Sequence, residues 1–472
     1  MSDPAACIAV LDMGKSNVKL SAVTSEGSVL QTIATPNVVH DGPPWRHNDL
    51  AGISDWALLE LAGLCREHPI RHVIATGYGS SGVLVRNDPG EPSGGVALPM
   101  IDYEQPLPDD VAAAYPAEAG TFLDRGSAIM QASTHQARQL LWMEMREPAA
   151  LAVAQWFLGL PQYWAWHFSG VARSEFSTLG AQSHLWNVVD RRFSPIVARH
   201  GWQRLIPPFA HAGAVLGPLR PALARRYGLP EGLSVHTGAH DSSANLYRYH
   251  AADIFDCCLV STGTWIVALC SSVDPARLDE VRNMTLNSDM EGRPVGGALS
   301  MGGREFAAIA GDQEPDAKAN MAQAAALVSR ETYALPAFGA DSGQFPGSAG
   351  KGRIVGPPPA SREERLALAV LNVALLTRTC VDCLAPQQSI ILDGSYLSDP
   401  AYGSLVAQLR PDVSVRTMRD CHGIAAGAAL LCGHDTRRHP VALDFETPAQ
   451  TTPIPGLEAY AKRWYDLSNR QH

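Results

Sequence analysis

Short apolar runs separated by polar turns open the chain. Residues 7–12, 18–24 and 29–35 each have strand length and strand composition, and Ser25-Glu26-Gly27 between the last two is turn chemistry. Together they predict an antiparallel meander. Residues 53–68 place Trp56, Leu59, Leu61 and Leu64 near helical spacing and predict a helix, followed by a strand at 71–76. Further helices are expected at 136–147 and 149–159, then a short aromatic helix between Pro161 and Gly170. Its Tyr163, Trp164 and Trp166 read as core. A strand at 233–238 runs into Ala239-His240-Asp241-Ser242-Ser243, where Asp and Ser supply the chemistry of a helix start.

After Tyr249 the pattern restarts, with a strand at 257–261, a turn at Thr262-Gly263-Thr264 and a strand at 265–270. Leu11-Asp12-Met13-Gly14-Lys15-Ser16-Asn17-Val18 lines up with Val260-Ser261-Thr262-Gly263-Thr264-Trp265-Ile266-Val267, an offset of 249 residues. Both read strand, polar turn centred on glycine, strand. Each copy opens one half of the chain, so two related α/β domains are expected, residues 1–250 and 251–472, with the boundary near Ala251. The second half continues with helices at 317–329 and 361–384, separated by a Gly/Pro/Ser-rich surface loop at 338–359. A strand at 389–392 enters Asp393-Gly394-Ser395, and a helix at 401–409, a strand at 414–418 and an Ala-rich helix at 423–431 follow. Gly423 and Gly427, four apart, permit close packing of that last helix against a sheet or a ligand.

Composition narrows the classes. With 46% hydrophobic and 18% charged residues among 472, a large core is available and wholesale disorder is excluded. A net charge of −10 argues against a main grip on nucleic-acid phosphates, though not against a small basic pocket. No run approaches the ~18 apolar residues of a membrane helix, and the longest, 366–376, is expected to be core. The start, Ser2-Asp3-Pro4, has no basic region, so no secretory signal is expected and a cytoplasmic location is. Nine cysteines, mostly in apolar runs, read as reduced buried thiols. Cys380 and Cys383 form one C-x-x-C in a helical pattern without a second pair, so zinc or redox chemistry is not expected there.

Four segments are candidates for chemistry. Gly14-Lys15-Ser16 ends like a P-loop, but position 9 is Ala where the loop needs Gly, and a strand follows instead of a helix, which excludes it. A hairpin turn can still hold phosphate on its amides, with Lys15 adding charge and Asp12 orienting Mg²⁺ through water. An ordinary polar hairpin explains the same residues. Ser261-Thr262-Gly263-Thr264 can likewise cradle a phosphate, and two such turns across a cleft would clamp a triphosphate. Asp241, at a strand-to-helix junction, is placed either to accept a proton from an alcohol or to cap the helix. Asp393-Gly394-Ser395 is either a backbone platform for a flat base or a plain turn. Gly79-Ser80-Ser81-Gly82 fails the spacing of a nucleophile elbow, and no G-x-G-x-x-G lies between a strand and a helix.

In this order and spacing, from Ile8 to about Gly433, the segments resemble the FGGY family of carbohydrate kinases. Asp12-Met13-Gly14-Lys15-Ser16-Asn17-Val18-Lys19 is similar to the family's first phosphate motif, with the Asn-Val-basic ending of the L-fuculokinase branch. His240-Asp241-Ser242-Ser243-Ala244 resembles the catalytic segment, and Ser261-Thr262-Gly263-Thr264-Trp265 the second phosphate motif, of the L-rhamnulokinase and L-fuculokinase branches. Asp393-Gly394-Ser395 and the Gly423–Gly427 helix stand where the family keeps its adenosine motif.

The resemblance implies an actin-like, ribonuclease-H-like two-domain ATPase fold, duplicated, with a cleft between the domains. It implies MgATP-dependent phosphorylation of a hydroxyl of a small sugar, a ketose or deoxyketose by branch, or of a polyol. The first domain would bind the sugar and the second ATP. Asp241 would be the general base, with His240 beside the sugar. Thr262, Gly263 and Thr264 would hold the ATP phosphates with Gly14, Lys15 and Ser16 opposite, Asp12 would assist Mg²⁺ through water, and Gly394 would lie near adenine. The chain departs from the family in three places. Lys15 replaces a usual Thr or Ala, either strengthening γ-phosphate binding or filling the site. Gly394 stands alone where two or three glycines are usual. Pro99-Met100-Ile101-Asp102-Tyr103-Glu104-Gln105 lacks the Trp and Arg of the sugar segment, which leaves Asp102, Tyr103 and Glu104 as candidates for sugar hydroxyls. Glu175 and Ser177 fall where the family has sugar-proximal polar residues. The expected partners are the sugar and ATP, with no nucleic acid and no membrane, and a homodimer is compatible. Lys15 and the depleted glycines motivate an alternative, a sugar-binding or regulatory protein on the same fold that has lost catalysis. A third reading is an actin-like ATPase without a sugar acceptor.

Overall fold

Aliphatic residues fill Cys7–Met13 (β1), where every side chain but that of Asp12 is buried, as expected of a strand covered on both faces. Asn17–Thr24 (β2) and Val29–Pro36 (β3) complete the antiparallel meander. Helix α1, Leu50–Glu67, begins at the side-chain cap of Asp49 and buries Leu50, Ile53, Leu58, Leu61 and Leu64. It feeds Ile70–Gly77 (β4), which pairs parallel with β1. Val215–Pro218 (β5), Ser234–His236 (β6) and Ala239–His240 (β7) finish this sheet, in the order β5-β6-β4-β1-β2-β3 with β7 also on β4. Helix α3, Asp241–His250, follows β7 directly, and the short helix α2, Phe176–Gly180, lies against β7.

This computed structural model describes residues 6–471 apart from 92, 315, 340–342, 385–388, 419 and 421. The chain divides into two compact units. The first is Met1–Ile254 with Leu286–Pro294 and His422–Ala442; the second is Phe255–Thr285, Val295–Cys421 and Leu443–His472. The main switch falls close to Ala251, and the two later segments return to the first unit without any local signal that announces it.

The second unit builds its sheet from Cys258–Thr262 (β8), Ile266–Cys270 (β9), Pro294–Ser300 (β10), Ser389–Gly394 (β11), Ser414–Met418 (β12) and Phe445–Glu446 (β13). Their order is β10-β9-β8-β11-β12-β13. The run β3-β2-β1-β4-β6 in one unit therefore has the same antiparallel and parallel pairings as β10-β9-β8-β11-β12 in the other. The duplicated, actin-like architecture implied by the resemblance is the one observed. Helix α4, Gly302–Ala310, follows β10, and helix α5, Arg362–Leu384, lies in the core of this unit. Helix α5 has the length and hydropathy of a membrane span, but 83% of its most apolar window is buried inside the protein.

Two expectations fail locally. The helix expected at 149–159 stops at Val153, and Trp156–Gly159 is a strand paired with Gly82–Val85. Cross-strand pairing with a segment 70 or so residues earlier overrides local helical spacing there. The surface loop at 338–359 also carries a short strand, Arg353–Val355, paired with Tyr333–Leu335.

Helix α6, Gly423–Leu431, packs on α3, and a Cβ at Gly427 would collide with the Ala244 carbonyl oxygen. Packing of helix on helix, rather than a ligand, explains this glycine. A Gly-to-Ala change on an exposed helix gains about 1 kcal/mol. At this contact the sign reverses. Gly427→Ala is expected to cost about 1–3 kcal/mol through overpacking, read as a lower urea midpoint.

Candidate active site

Strand register brings the first unit's carboxylates together. Asp12 on β1 lies beside Thr76 on β4, and β7 sets Ala239 beside Thr76 and His240 beside Gly77. Asp241 follows at the first turn of α3. Both carboxylates thus issue from the C-terminal ends of parallel strands, where ligands bind in open α/β sheets. Thr76 Oγ1 donates to Asp12 Oδ1 at 3.0 Å. Burial, and then the charge of Asp241, push the Asp12 carboxyl up to about 6, against the Thr76 hydrogen bond and Lys19.

Asp241 is not the helix cap. His240 holds that position and makes no side-chain cap bond. Asp241 Oδ1 accepts from Ser242 N–H and, at 3.0 Å, from Ser242 Oγ, while His240 Nε2 stands 3.2 Å away. Oδ2 has no hydrogen bond among the described residues. Burial lowers the His240 imidazole, with Asp241's charge opposing, so the ring favours its neutral form.

Glu175 and Ser177, expected near the sugar, make a hydrogen-bonded brace in the structure. Glu175 accepts from Ser177 N–H (2.8 Å) and Oγ (2.6 Å) and from Thr178 N–H (2.9 Å) and Oγ1 (3.2 Å), capping α2. It is 1% exposed, and burial raises it to about 7 against those four donors. Ser177 Oγ then accepts the His240 backbone N–H at 3.1 Å. These residues position the strand end that carries Asp241.

Lys15 joins the sugar candidates. Its Nζ lies 2.5 Å from Asp102 Oδ1, 3.5 Å from Glu104 Oε2 and 5.4 Å from the centre of the Tyr103 ring. Arg46 Nε and a terminal nitrogen both reach Asp102 Oδ2 at 2.7 Å. Asp102 is 2% exposed. Burial pushes its carboxyl up, but the Lys15 hydrogen bond, the Glu104 N–H and the two cations outweigh that and leave it below the usual range. Arg46 was not found by sequence reasoning, since nothing in spacing ties it to a residue 56 positions on. Gly14 anchors the turn by accepting from Asn37 Nδ2 at 2.9 Å, and Ser16 is exposed.

In the second unit, the Thr262 hydroxyl is committed to the fold. It donates to Asp393 O at 2.9 Å and accepts from Tyr396 N–H at 3.2 Å. Gly394, at φ 98°, lies so close to the Thr262 backbone that no Cβ would fit. Gly263 has open space around it and Thr264 is exposed, so these two form the accessible part of the turn. Gly303 N–H donates to Thr264 O at 3.0 Å, which sets the start of α4 beside that turn.

The residues around Asp12 fit a divalent cation. A carboxyl raised by burial and by a second carboxylate is in the electrostatic state that a hard, oxygen-liganded ion relieves. Asp12 would hold Mg²⁺, with Asp241 as the neighbouring charge.

Comparisons with known proteins identify a family. The model of the "FGGY family of carbohydrate kinases, N-terminal domain" matches residues 118–247, and that of "Carbohydrate kinase FGGY, C-terminal domain" matches 255–440. L-fuculokinase of Escherichia coli (strain K12) is 26% identical over 302 residues, 60% of this chain and 61% of that protein. The chain thus spans about three fifths of the length of the curated relatives it matches. The crystal structure of a carbohydrate kinase from Novosphingobium aromaticivorans superposes with a TM-score of 0.86 at 29% identity, covering 100% of this chain and 99% of that one. Ligand-bound xylulose kinase from Lactobacillus acidophilus superposes at 0.80 with 15% identity over 98% and 97% of the two chains, a likeness of fold.

Asp12 yields a pH signature. Its ordinary value is 3.8 and its folded value about 6, so between these limits the native state binds more protons than the unfolded one. Stability therefore falls as pH rises through that window and stays lower above it. Asp12→Asn removes the penalty and keeps the Thr76 contact. In Mg²⁺-free buffer at pH 7.5 its Tm is expected to exceed the parent's by about 2–4 °C, the size of a ~1 kcal/mol effect, with the gap narrowing towards pH 4.5.

Proposed function

This chain belongs to the FGGY family of carbohydrate kinases, and from that premise we propose that it transfers the γ-phosphoryl group of ATP to a hydroxyl of a small sugar. The observation that carries the proposal is the Asp241 carboxylate. One of its oxygens is held by Ser242, and the other has no hydrogen bond among the described residues. A carboxylate so placed can accept a proton from an alcohol.

Asp241 Oδ2 takes the proton of the acceptor hydroxyl as that oxygen attacks the γ-phosphorus. The new O–P bond forms as the bond to the β,γ-bridging oxygen breaks, and the electron pair leaves with ADP. Such a transfer needs alignment and charge neutralisation more than covalent help from the protein. Mg²⁺, when bound, neutralises charge on the phosphate oxygens. Asp12 would hold it, through water. Gly14 and Ser16 offer phosphate an amide-lined turn, as do Gly263 and Thr264 in the second unit, and Gly394 supports the base through the turn it braces. Neutral His240 and the segment Asp102, Tyr103 and Glu104 contact the sugar. The relatedness to L-fuculokinases favours a ketose or deoxyketose as substrate.

ADP release by the purified protein with MgATP, across ketoses, aldoses and polyols, tests the reading. Sugar-stimulated turnover is expected, and Asp241→Asn should lower kcat by roughly 10²–10⁴. Sugar binding without turnover would instead identify a non-catalytic sugar-binding protein. ATP hydrolysis indifferent to every sugar would identify an ATPase. Lys15→Ala tests whether that residue serves the sugar or the phosphates. Because its ammonium is paired with Asp102, the KM for sugar is expected to rise more than the KM for ATP; the reverse order would return Lys15 to the phosphates.

A further inference from the structure

Three side chains from distant stretches of the first unit converge, none of them used in the reading of Asp12 and Asp241. They are His211, Glu291 and His434, and one ligand atom of each lies within 4.8 Å of those of the other two. His211 Nε2 is 3.3 Å, and His434 Nε2 3.6 Å, from the same oxygen, Glu291 Oε1. The two imidazole rings stand 4.2 Å apart, centre to centre.

We propose that this trio binds a divalent d-block cation, Zn²⁺ foremost, through two imidazoles and one carboxylate, with water completing the shell. Two nitrogens and one carboxylate oxygen are the donor set of a three-ligand zinc site that keeps an open position. Imidazole donors disfavour Mg²⁺ and Ca²⁺, so this site is chemically separate from the oxygen-lined surroundings of Asp12.

Two observations point to a cation rather than to a packing contact. His211 Nε2 is buried and makes no hydrogen bond, although it faces a carboxylate. His434 is braced from behind: its Nδ1 lies 2.8 Å from the Tyr247 hydroxyl, which also accepts from an Arg437 terminal nitrogen at 3.1 Å. With Nδ1–H donating to the phenol oxygen, Nε2 keeps its lone pair facing Glu291. An outer partner that fixes the tautomer in this way is the usual support of a metal-bound imidazole. The neighbouring charges are mixed. Burial and His211 lower the His434 imidazole, while Glu291 and Asp435 raise it. On the other ring, Gly213 N–H donates to His211 Nδ1 at 3.1 Å. Coordination through Nε2 places the ring's hydrogen on Nδ1 and gives that bond up, which holds the affinity below that of a four-ligand structural site.

The position suggests what a bound ion does. Glu291 lies in the returning segment Leu286–Pro294 and His434 in the returning segment His422–Ala442. A cation would staple both to His211 and, through Tyr247, to α3. The inference rests on these side chains and not on the kinase reading.

The test uses the full-length protein stripped with a chelator, titrated with Zn²⁺ against a chromogenic chelator and, in parallel, with Co²⁺ followed by its visible absorption. One Zn²⁺ per chain, a Co²⁺ spectrum of nitrogen and oxygen ligands and a Zn²⁺-dependent rise in Tm are expected. All three should be lost in His434→Ala and in Glu291→Gln. The second variant alters an exposed side chain, so its fold is expected to survive. Tyr247→Phe, which removes only the outer partner, should weaken binding about 10-fold. No Zn²⁺ uptake, uptake unchanged in Glu291→Gln, or a thiolate charge-transfer band from one of the free cysteines would each overturn the proposal.

Discussion

Asp12 and Asp241 stand near each other because three parallel strands share one register, and neither residue can move without breaking it. β1, β4 and β7 set Asp12 beside Thr76, and Ala239 and His240 beside Thr76 and Gly77. Burial and mutual repulsion raise the Asp12 carboxyl to about 6. A protein using this sheet only as scaffold would gain by replacing either acid. The surrounding residues instead hold the arrangement in place. Thr76 donates to Asp12, Ser242 fixes one oxygen of Asp241, and Ser177 grips the His240 amide from a helix that Glu175 caps. The stored repulsion is of the kind that a bound cation relieves.

The second constraint is the buried carboxylate of Asp102. Two cations reach it, Lys15 from the β1–β2 turn and Arg46 from the stretch ahead of α1. Losing either partner would leave a charge out of water without full compensation. The lysine that departs from the family pattern is thus tied to a second departure, the rewritten 99–105 segment. The two changes are electrostatically one. They link the hairpin that faces phosphate in the proposed reaction to the residues proposed to face sugar.

Much of this was legible in the sequence because strands, caps and glycine turns are local. The meander at 7–36, the strand-to-helix junction at 240–241, the glycine turn at 262–264 and the restart after Tyr249 all follow from short-range chemistry, and the structure has each close to where it was expected. The losses are long-range. Trp156–Gly159 is a strand only because Gly82–Val85 pairs with it. Arg46 and Lys15 meet Asp102 across 56 and 87 residues. Glu175 has the composition of a ligand, and only its four donors reveal a cap. The return of Leu286–Pro294 and His422–Ala442 to the first unit leaves no mark on local pattern at all.

The duplication carries a chemical difference that explains why the halves need not do the same thing. At the end of each parallel pair a glycine faces the partner strand, Gly77 opposite Met13 and Gly394 opposite Thr262. One residue earlier, each pair matches a carboxylate with a hydroxyl, but in opposite order: Asp12 opposite Thr76, and Ser261 opposite Asp393. In the first unit the acid is thus on the strand that leads into the glycine turn. In the second that strand carries the hydroxyl, and the acid is on its neighbour. The first unit adds a further acid, Asp241, directly after β7, a second neighbour of β4. The acid before the first glycine turn, with a second acid nearby, gives that unit the negative charge that a cation relieves; the second turn instead carries half-buried Gly263 and exposed Thr264. The repeated strand-turn-strand unit thus carries a different polar set in each half of the chain.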